Sequence, residues 1–263
     1  MESIRKLWAG PMVGEFGWML FCWQGILRKI AKNYSKVYVA GRPGHNVIYE
    51  DFAEYIPIET IGDETSGMRN CDYKYQDEHK KYDVDDVILP ETYLTHYNPR
   101  KEDNSRFLNT KQEFIKYGKQ IATGISLLVH ARYTNKWKSS YRNWSKEKWD
   151  VLTNELVKQG YQIGAIGKTG QAYLPEGCWN LMDIDLRTLT NYMRSTKIII
   201  GPSSGPMHLA ALCDLKRVVW GMPELEKTYK YHWNPFNVTA EFIEGWSPGV
   251  DNVLIAVDKL LKT

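Results

Sequence analysis

The sequence predicts an α/β protein of two parallel-sheet domains, the N-terminal one reduced. Three observations carry this. The first forty residues read strand, glycine-rich turn, helix, strand, which is a βαβ unit with parallel strands. The same alternation resumes at Ile121 and repeats through Trp220. At 263 residues the chain has room for one large domain or two small ones.

Taken in order, residues 4–9 are expected as a strand, ended by the turn Gly10-Pro11-Met12-Val13-Gly14-Glu15-Phe16-Gly17. Residues 18–31 carry Met19, Cys22, Trp23, Ile26, Leu27 and Ile30 at helical spacing, with Arg28, Lys29 and Lys32 toward the negative helix end. Residues 37–40 make a second strand, stopped by Gly41-Arg42-Pro43-Gly44. The stretch 46–120 is less patterned. Residues 87–89 predict a short strand and 103–117 a polar helix, with a domain boundary near Gln120.

Beyond it, residues 126–131 are strand-like, and 145–160 form a helix capped by Ser145 and stopped by Gly160. Residues 161–166 are the next strand, ending in Gly167-Lys168-Thr169-Gly170. A helix over 185–195, a strand over 197–200, a loop over 201–205, a helix over 206–213 and a strand over 217–220 come next. Residues 251–261 close the chain as a helix. The division expected is 1–120 and 121–245, two Rossmann-like domains, and 246–263, a helix crossing back to the first.

Composition excludes several classes. Hydrophobic residues are 43% and charged residues 25%, the balance of a soluble globular domain. There is no apolar run long enough for a membrane span and no signal-peptide pattern, so a cytoplasmic location is expected. Cys22, Cys71, Cys178 and Cys213 form no C-x-x-C pair, which argues against a zinc site or disulfide framework. Ten Trp and seventeen Tyr either fill cores or line a cleft suited to a sugar or base. Charge is uneven: residues 50–91 hold 13 acidic and 4 basic side chains, and residues 100–148 hold 4 acidic and 12 basic ones. The basic stretch is either a solvated face or an attractor for a phosphorylated or polyanionic ligand.

The strongest motif is Ile198-Ile199-Ile200-Gly201-Pro202-Ser203-Ser204-Gly205-Pro206-Met207-His208-Leu209. A buried strand enters a small-residue turn and then a helix, and the free amides and dipole of such a helix start attract an anion. Ser203 and Ser204 add hydroxyls, and Gly201 and Gly205 permit close approach. His208 is either a ligand contact or a packing residue. The turn Gly167, Lys168, Thr169 could touch a base or ribose, and it lacks the spacing of a phosphate-binding P-loop. No G-x-G-x-x-G comes after the first strand, which disfavours a nicotinamide enzyme. The aromatic, basic segment 228–236 either covers a cleft or packs the last helix.

The strand–G-x-S-S-G-x-x-H-L-A-A-L pattern resembles the donor-site motif of the heptosyltransferase-type glycosyltransferases. Upstream, Val129-His130-Ala131-Arg132 followed by Arg142-Asn143-Trp144-Ser145 and Trp149 is similar to that family's strand and [KR]-x-W-[PS]-x-x-x-W. Gly14-Glu15 with Leu20 resembles its G-D-x-x-x-x-L-P, with Glu standing where the family has the Asp that acts as base. Ser203 stands where many relatives carry Asp.

The resemblance implies a GT-B fold of two facing Rossmann-like domains. It also implies inverting, metal-independent transfer from a nucleotide-diphosphate sugar to the hydroxyl of a glycan or a small molecule; the basic stretch 100–148 separately offers modified nucleic acid as an alternative acceptor. Glu15 would be the base, Arg142 the first and Arg132 the second phosphate-facing cation. Residues 203–208 and 167–169 would hold the donor, and Gly14, Gly17 and Trp18 would lie on the acceptor side. No metal or other cofactor is implied. The competing expectation is a nucleotide-sugar-binding protein without transfer activity.

Overall fold

The computed structural model describes residues 5–59, 73–90, 112–135 and 138–262. The chain divides into two compact units, Met1–Ile115 and Lys116–Thr263. Each is built on its own all-parallel sheet, so the protein has a two-domain, GT-B-like α/β architecture.

In the first unit, β1 (Lys6–Met12) and β2 (Lys36–Gly41) form the centre, flanked by β3 (Glu54–Pro57) and β4 (Asp86–Ile88) in the order β3-β2-β1-β4. Leu7, Trp8, Ala9, Val37 and Val39 are buried, the signature of central parallel strands covered on both faces. Between β1 and β2 the chain makes a short helical turn (Phe16–Trp18), a π-helical turn (Met19–Trp23) and the helix α1 (Gln24–Ala31). All five residues of the π turn are buried, a feature that helical periodicity alone did not predict.

The second unit carries six strands in the order β10-β9-β8-β5-β6-β7. These are β5 (Leu127–Val129), β6 (Ile163–Gly167), β7 (Trp179–Met182), β8 (Ile198–Pro202), β9 (Lys216–Gly221) and β10 (Ala240–Glu244). Its helices in chain order are α2 (Lys146–Lys158), α3 (Leu186–Ser195), α4 (Gly205–Leu212) and α5 (Val250–Leu261). Ser145 caps α2 as expected, accepting the Lys148 amide, and Asp185 caps α3 through the Thr188 amide.

Much of the tryptophan excess goes into this core. Trp144, Trp149 and Trp220 pack together with ring centroids 5.0–5.5 Å apart. The last helix α5, expected to cross back to the first domain, packs within the second unit through Val253, Val257 and Leu260.

Three strands escape the sequence reading: β3, β7 and β10. Each lies at the edge of its sheet. Part of the helix expected over 103–117 falls outside the described residues, and from Gln112 to Tyr117 the chain is not helical.

Candidate functional site

β8 sits near the middle of its sheet with all five residues buried, and its carboxyl end runs through Ser203 and Ser204 into α4. Gly201 fits closely there: a Cβ would stand 3.0 Å from the His130 carbonyl and 3.2 Å from the Met207 sulfur. In open parallel sheets this end of the strands is where ligands bind.

The sequence offered the amides of residues 203–207 as one anion cradle, and the structure divides them. The Ser203 N–H donates to the Trp220 carbonyl at 2.8 Å, and the Ser204 N–H donates to the Tyr229 hydroxyl at 3.2 Å. Pro206 has no N–H. The Gly205 and Met207 amides have no acceptor among the described residues, so the positive end of the α4 dipole is concentrated on these two.

Arg142 lies beside this turn for a local reason. It ends a 3-10 turn (Ser140–Arg142), and Trp144 just beyond is buried with its indole N–H on the Pro248 carbonyl at 3.0 Å. That anchor lets the Arg142 guanidinium donate to the Ser203 carbonyl and lie over the Trp246 ring, 4.7 Å from its centroid. Its Nε is buried without a partner.

Arg132, the second expected cation, is turned to a structural task. It is buried and donates to the Ser139 carbonyl and hydroxyl and to the Asn143 side chain, closing the segment that leads to Arg142. A third cation, Arg217 on β9, is fully buried. It donates to the carbonyls of Tyr229 and Val238 and leaves Nε and Nη1 unpartnered. Arg132, Arg142 and Arg217 form no ion pair with a carboxylate among the described residues.

Tyr229, on the π-helical turn Thr228–His232, is the hub beneath the loop. Besides accepting the Ser204 amide, its hydroxyl donates to Ser203 Oγ at 3.0 Å and lies 3.1 Å from His208 Nε2. The His208 ring stacks on Tyr229 at 4.5 Å and meets the edge of Trp233 at 4.7 Å, so His208 buttresses the turn. Burial and the charges of Arg217 and Arg142 push its pKa down to about 3.

His130, at the end of β5, is buried and places Nδ1 2.8 Å from Ser204 Oγ. Burial and the nearby Arg132 and Arg142 push its pKa down to about 4. Both histidines are therefore neutral at physiological pH, and the arginines supply the fixed charge.

The turn after β6 lies on the other side of His130. Gly167 has φ +144°, and a Cβ there would meet the Ala172 side chain at 2.4 Å. Lys168 and Thr169 are exposed. The Thr169 amide and hydroxyl both donate to the Asp183 carboxylate, at 3.0 and 2.5 Å, and these bonds hold Asp183 below the usual carboxylate range.

The first unit carries its own strand-to-helix turn. Gly14 and Gly17 are buried, while Glu15 and Trp18 are half-buried. Glu15 precedes the Phe16–Trp18 turn, and its carbonyl accepts the Met19 amide at 3.1 Å. Arg42, just past β2, fixes the loop from below, with Nε and Nη2 both on the Val13 carbonyl at 3.0 and 2.8 Å.

His130, Tyr229 and Trp246 were not among the expected site residues. His130 stood in the quoted motif and Tyr229 in the aromatic segment, so both had a signal. Trp246 had none, because its position depends on the path of the chain after β10. Among the described residues, no three His, Cys, Asp or Glu side chains gather as a metal site. No helix there is long and apolar enough to cross a membrane.

No family model matches the sequence, and no curated protein matches it significantly. Solved structures do match the fold. The glycosyl transferase family 9 structure from Veillonella parvula is 14% identical, with 100% of this chain and 99% of that chain covered and a TM-score of 0.67. The E. coli ADP-heptose LPS heptosyltransferase II is 12% identical, with 98% of each chain covered and a TM-score of 0.64. The E. coli heptosyltransferase WaaC, solved with ADP, is 13% identical, with 97% of this chain and 99% of that chain covered and a TM-score of 0.64. The fold expected from the motifs is thus present over the whole chain: it is the heptosyltransferase-like GT-B fold.

Proposed function

We propose that the chain is a glycosyltransferase. On this reading the second unit binds a nucleoside-diphosphate sugar with its diphosphate at the start of α4, and the first unit serves the acceptor. The observation that carries it is the pair of unused amides at Gly205 and Met207, beside Arg142, with no carboxylate paired to Arg132, Arg142 or Arg217 among the described residues. A site with this charge and no internal counter-ion is built for an anion. The half-buried Arg142 weighs more than the exposed Lys168 because of the dielectric. Two unit charges 4 Å apart attract by about 4 kcal/mol at an effective dielectric of about 20, against about 1 kcal/mol in water.

The chemistry then needs one base. The acceptor oxygen attacks the anomeric carbon, the bond from that carbon to the diphosphate oxygen breaks, and the acceptor proton passes to Glu15. A single displacement inverts the anomeric centre and forms no covalent intermediate. The charge growing on the departing diphosphate falls to Arg142 and the α4 amides, so no divalent metal is required. Relatives in fold are named for heptosyl transfer and one was solved with ADP, which puts ADP and ADP-sugars first among the ligands to try.

The test is a thermal-shift screen with pyrophosphate, nucleoside diphosphates and nucleotide sugars. A ligand that binds only the folded state raises the melting temperature, by an amount that grows with its concentration over Kd. A rise with at least one nucleoside diphosphate is expected. No rise with any of them overturns the reading. The second reading, a binding protein without transfer, predicts donor binding with no turnover and no effect of Glu15→Gln.

A further inference from the structure

The strands of the second unit run β8-β5-β6 across the middle of the sheet. Their carboxyl ends therefore present, side by side, the loop before α4, then His130, then the turn at Gly167. The Ser204 hydroxyl has one proton, and it donates that proton to the Pro202 carbonyl at 2.9 Å. With that proton on Pro202, the 2.8 Å contact with His130 runs from Nδ1–H to Ser204 Oγ. In this arrangement the ring proton sits on Nδ1 and Nε2 carries a lone pair.

No donor reaches this Nε2 among the described residues, although the His130 residue is only 8% exposed. What it faces is a glycine: a Cβ on Gly167 would stand 3.6 Å from Nε2. Nε2 is not sealed from solvent, so a ligand can reach it, and the missing side chain at Gly167 leaves room beside it.

We propose that His130 Nε2 accepts a hydrogen bond from a ribose hydroxyl of the bound nucleotide. The proposal rests on the diphosphate reading of α4 and adds a position to it. In a nucleoside diphosphate the ribose lies between phosphate and base, the order in which the strand ends present the α4 loop, His130 and the Gly167–Gly170 turn. Phosphate oxygens cannot satisfy Nε2, because they carry only acceptors at neutral pH. A ribose hydroxyl can. His130 then reads the sugar of the nucleotide, and its Nδ1 ties that reading to Ser204 at the helix cap.

Titration calorimetry with pyrophosphate, ADP, UDP and the 2′-deoxy and 3′-deoxy forms of both tests this. For whichever base binds, one deoxy form should bind about 5- to 10-fold more weakly than the ribonucleotide, the loss expected for one neutral hydrogen bond. His130→Asn keeps a side-chain N–H near the Nδ1 position for Ser204 and lacks Nε2. It should bring the ribonucleotide and that deoxy form to equal affinity, whatever the change in pyrophosphate binding. Equal binding of the ribonucleotide and both deoxy forms by the wild-type protein overturns the assignment, as does a His130→Asn variant that still discriminates. The wild-type comparison decides alone if the variant does not fold. If pyrophosphate and every nucleotide fail to bind, the reading of α4 falls and takes this one with it.

Discussion

The two units each present a turn where a buried strand runs into a helix, and the two turns are equipped in opposite ways. After β8 the chain offers donors: two unused amides and the Arg142 guanidinium, on a scaffold in which His208 meets Tyr229 and His130 meets Ser204. After β1 it offers a carboxylate, Glu15, on a loop pinned through the Val13 carbonyl by Arg42. A parallel strand end has no fixed chemistry of its own. The residues at the helix start decide whether it receives negative charge or supplies it. In the transfer proposed above, one turn takes up the released anion and the other the removed proton.

The sharpest way to break the comparison is at the carboxylate. Glu15→Gln should lower sugar transfer, or donor hydrolysis with water as acceptor, by about 10²- to 10⁴-fold, the range for one general base. Calorimetry should find donor affinity unchanged. Loss of donor affinity instead would place Glu15 on the binding side and erase the contrast.

At the other turn, Arg142→Met should weaken nucleoside-diphosphate binding by about 10- to 100-fold, the scale of one charge-assisted hydrogen bond of about 1.5–3 kcal/mol. Arg142→Lys should restore part of it. Equal affinity in wild type and the Met variant would remove Arg142 from the site.

Acid sharpens the comparison further. The His130 and His208 pKa values, about 4 and about 3, lie below the unfolded histidine value of about 6.5. Below pH 6.5 the unfolded chain binds protons that the folded chain does not, so stability falls as pH drops from there toward 4. The slope is about 1.4 kcal/mol per pH unit for each histidine. Chemical denaturation at pH 7, 6, 5 and 4.5 measures it, and Tyr229, whose pKa burial pushes up to about 12, adds nothing in this window. Stability constant across these pH values would show the two rings to be accessible and protonated in the fold.

The smallest effect concerns Arg217. A buried charge without a counter-ion carries a desolvation cost that an apolar side chain of similar length does not. Arg217→Met should therefore hold or raise the melting temperature while weakening diphosphate binding only about 2- to 5-fold, because its charge acts from beneath Tyr229. A strong drop in stability would show that its bonds to the Tyr229 and Val238 carbonyls matter more than its buried charge.

Legibility in the sequence obeys the same physics. The central strands and the α4 turn could be read because burial on both faces leaves runs such as Ile198-Ile199-Ile200, and because Gly201, Ser203, Ser204 and Pro206 punctuate the passage from strand to helix. β3, β7 and β10 could not, since an edge strand is covered less completely. Trp179 and Asn180 in β7 and Glu54 in β3 are exposed, and Pro57 ends β3. In the site, residue types that carry chemistry announced themselves, but hydrogen-bond assignments did not. That Ser203 and Ser204 give up their amides to Trp220 and Tyr229, and that Arg132 is spent on Ser139 and Asn143, depends on side chains far away in sequence or on the path of a loop.

The π turn at Met19–Trp23 has a consequence for protein engineering. Such a turn holds one residue more than the α-helical path would, so deleting a single residue there should convert the whole entry into regular helix. The core face of α1 would keep its phase, and so would the residues upstream, because the bulge absorbs the very residue that the deletion removes. A one-residue deletion thus removes the wide turn while keeping the lobe and the orientation of Glu15, and so isolates what the bulge itself contributes.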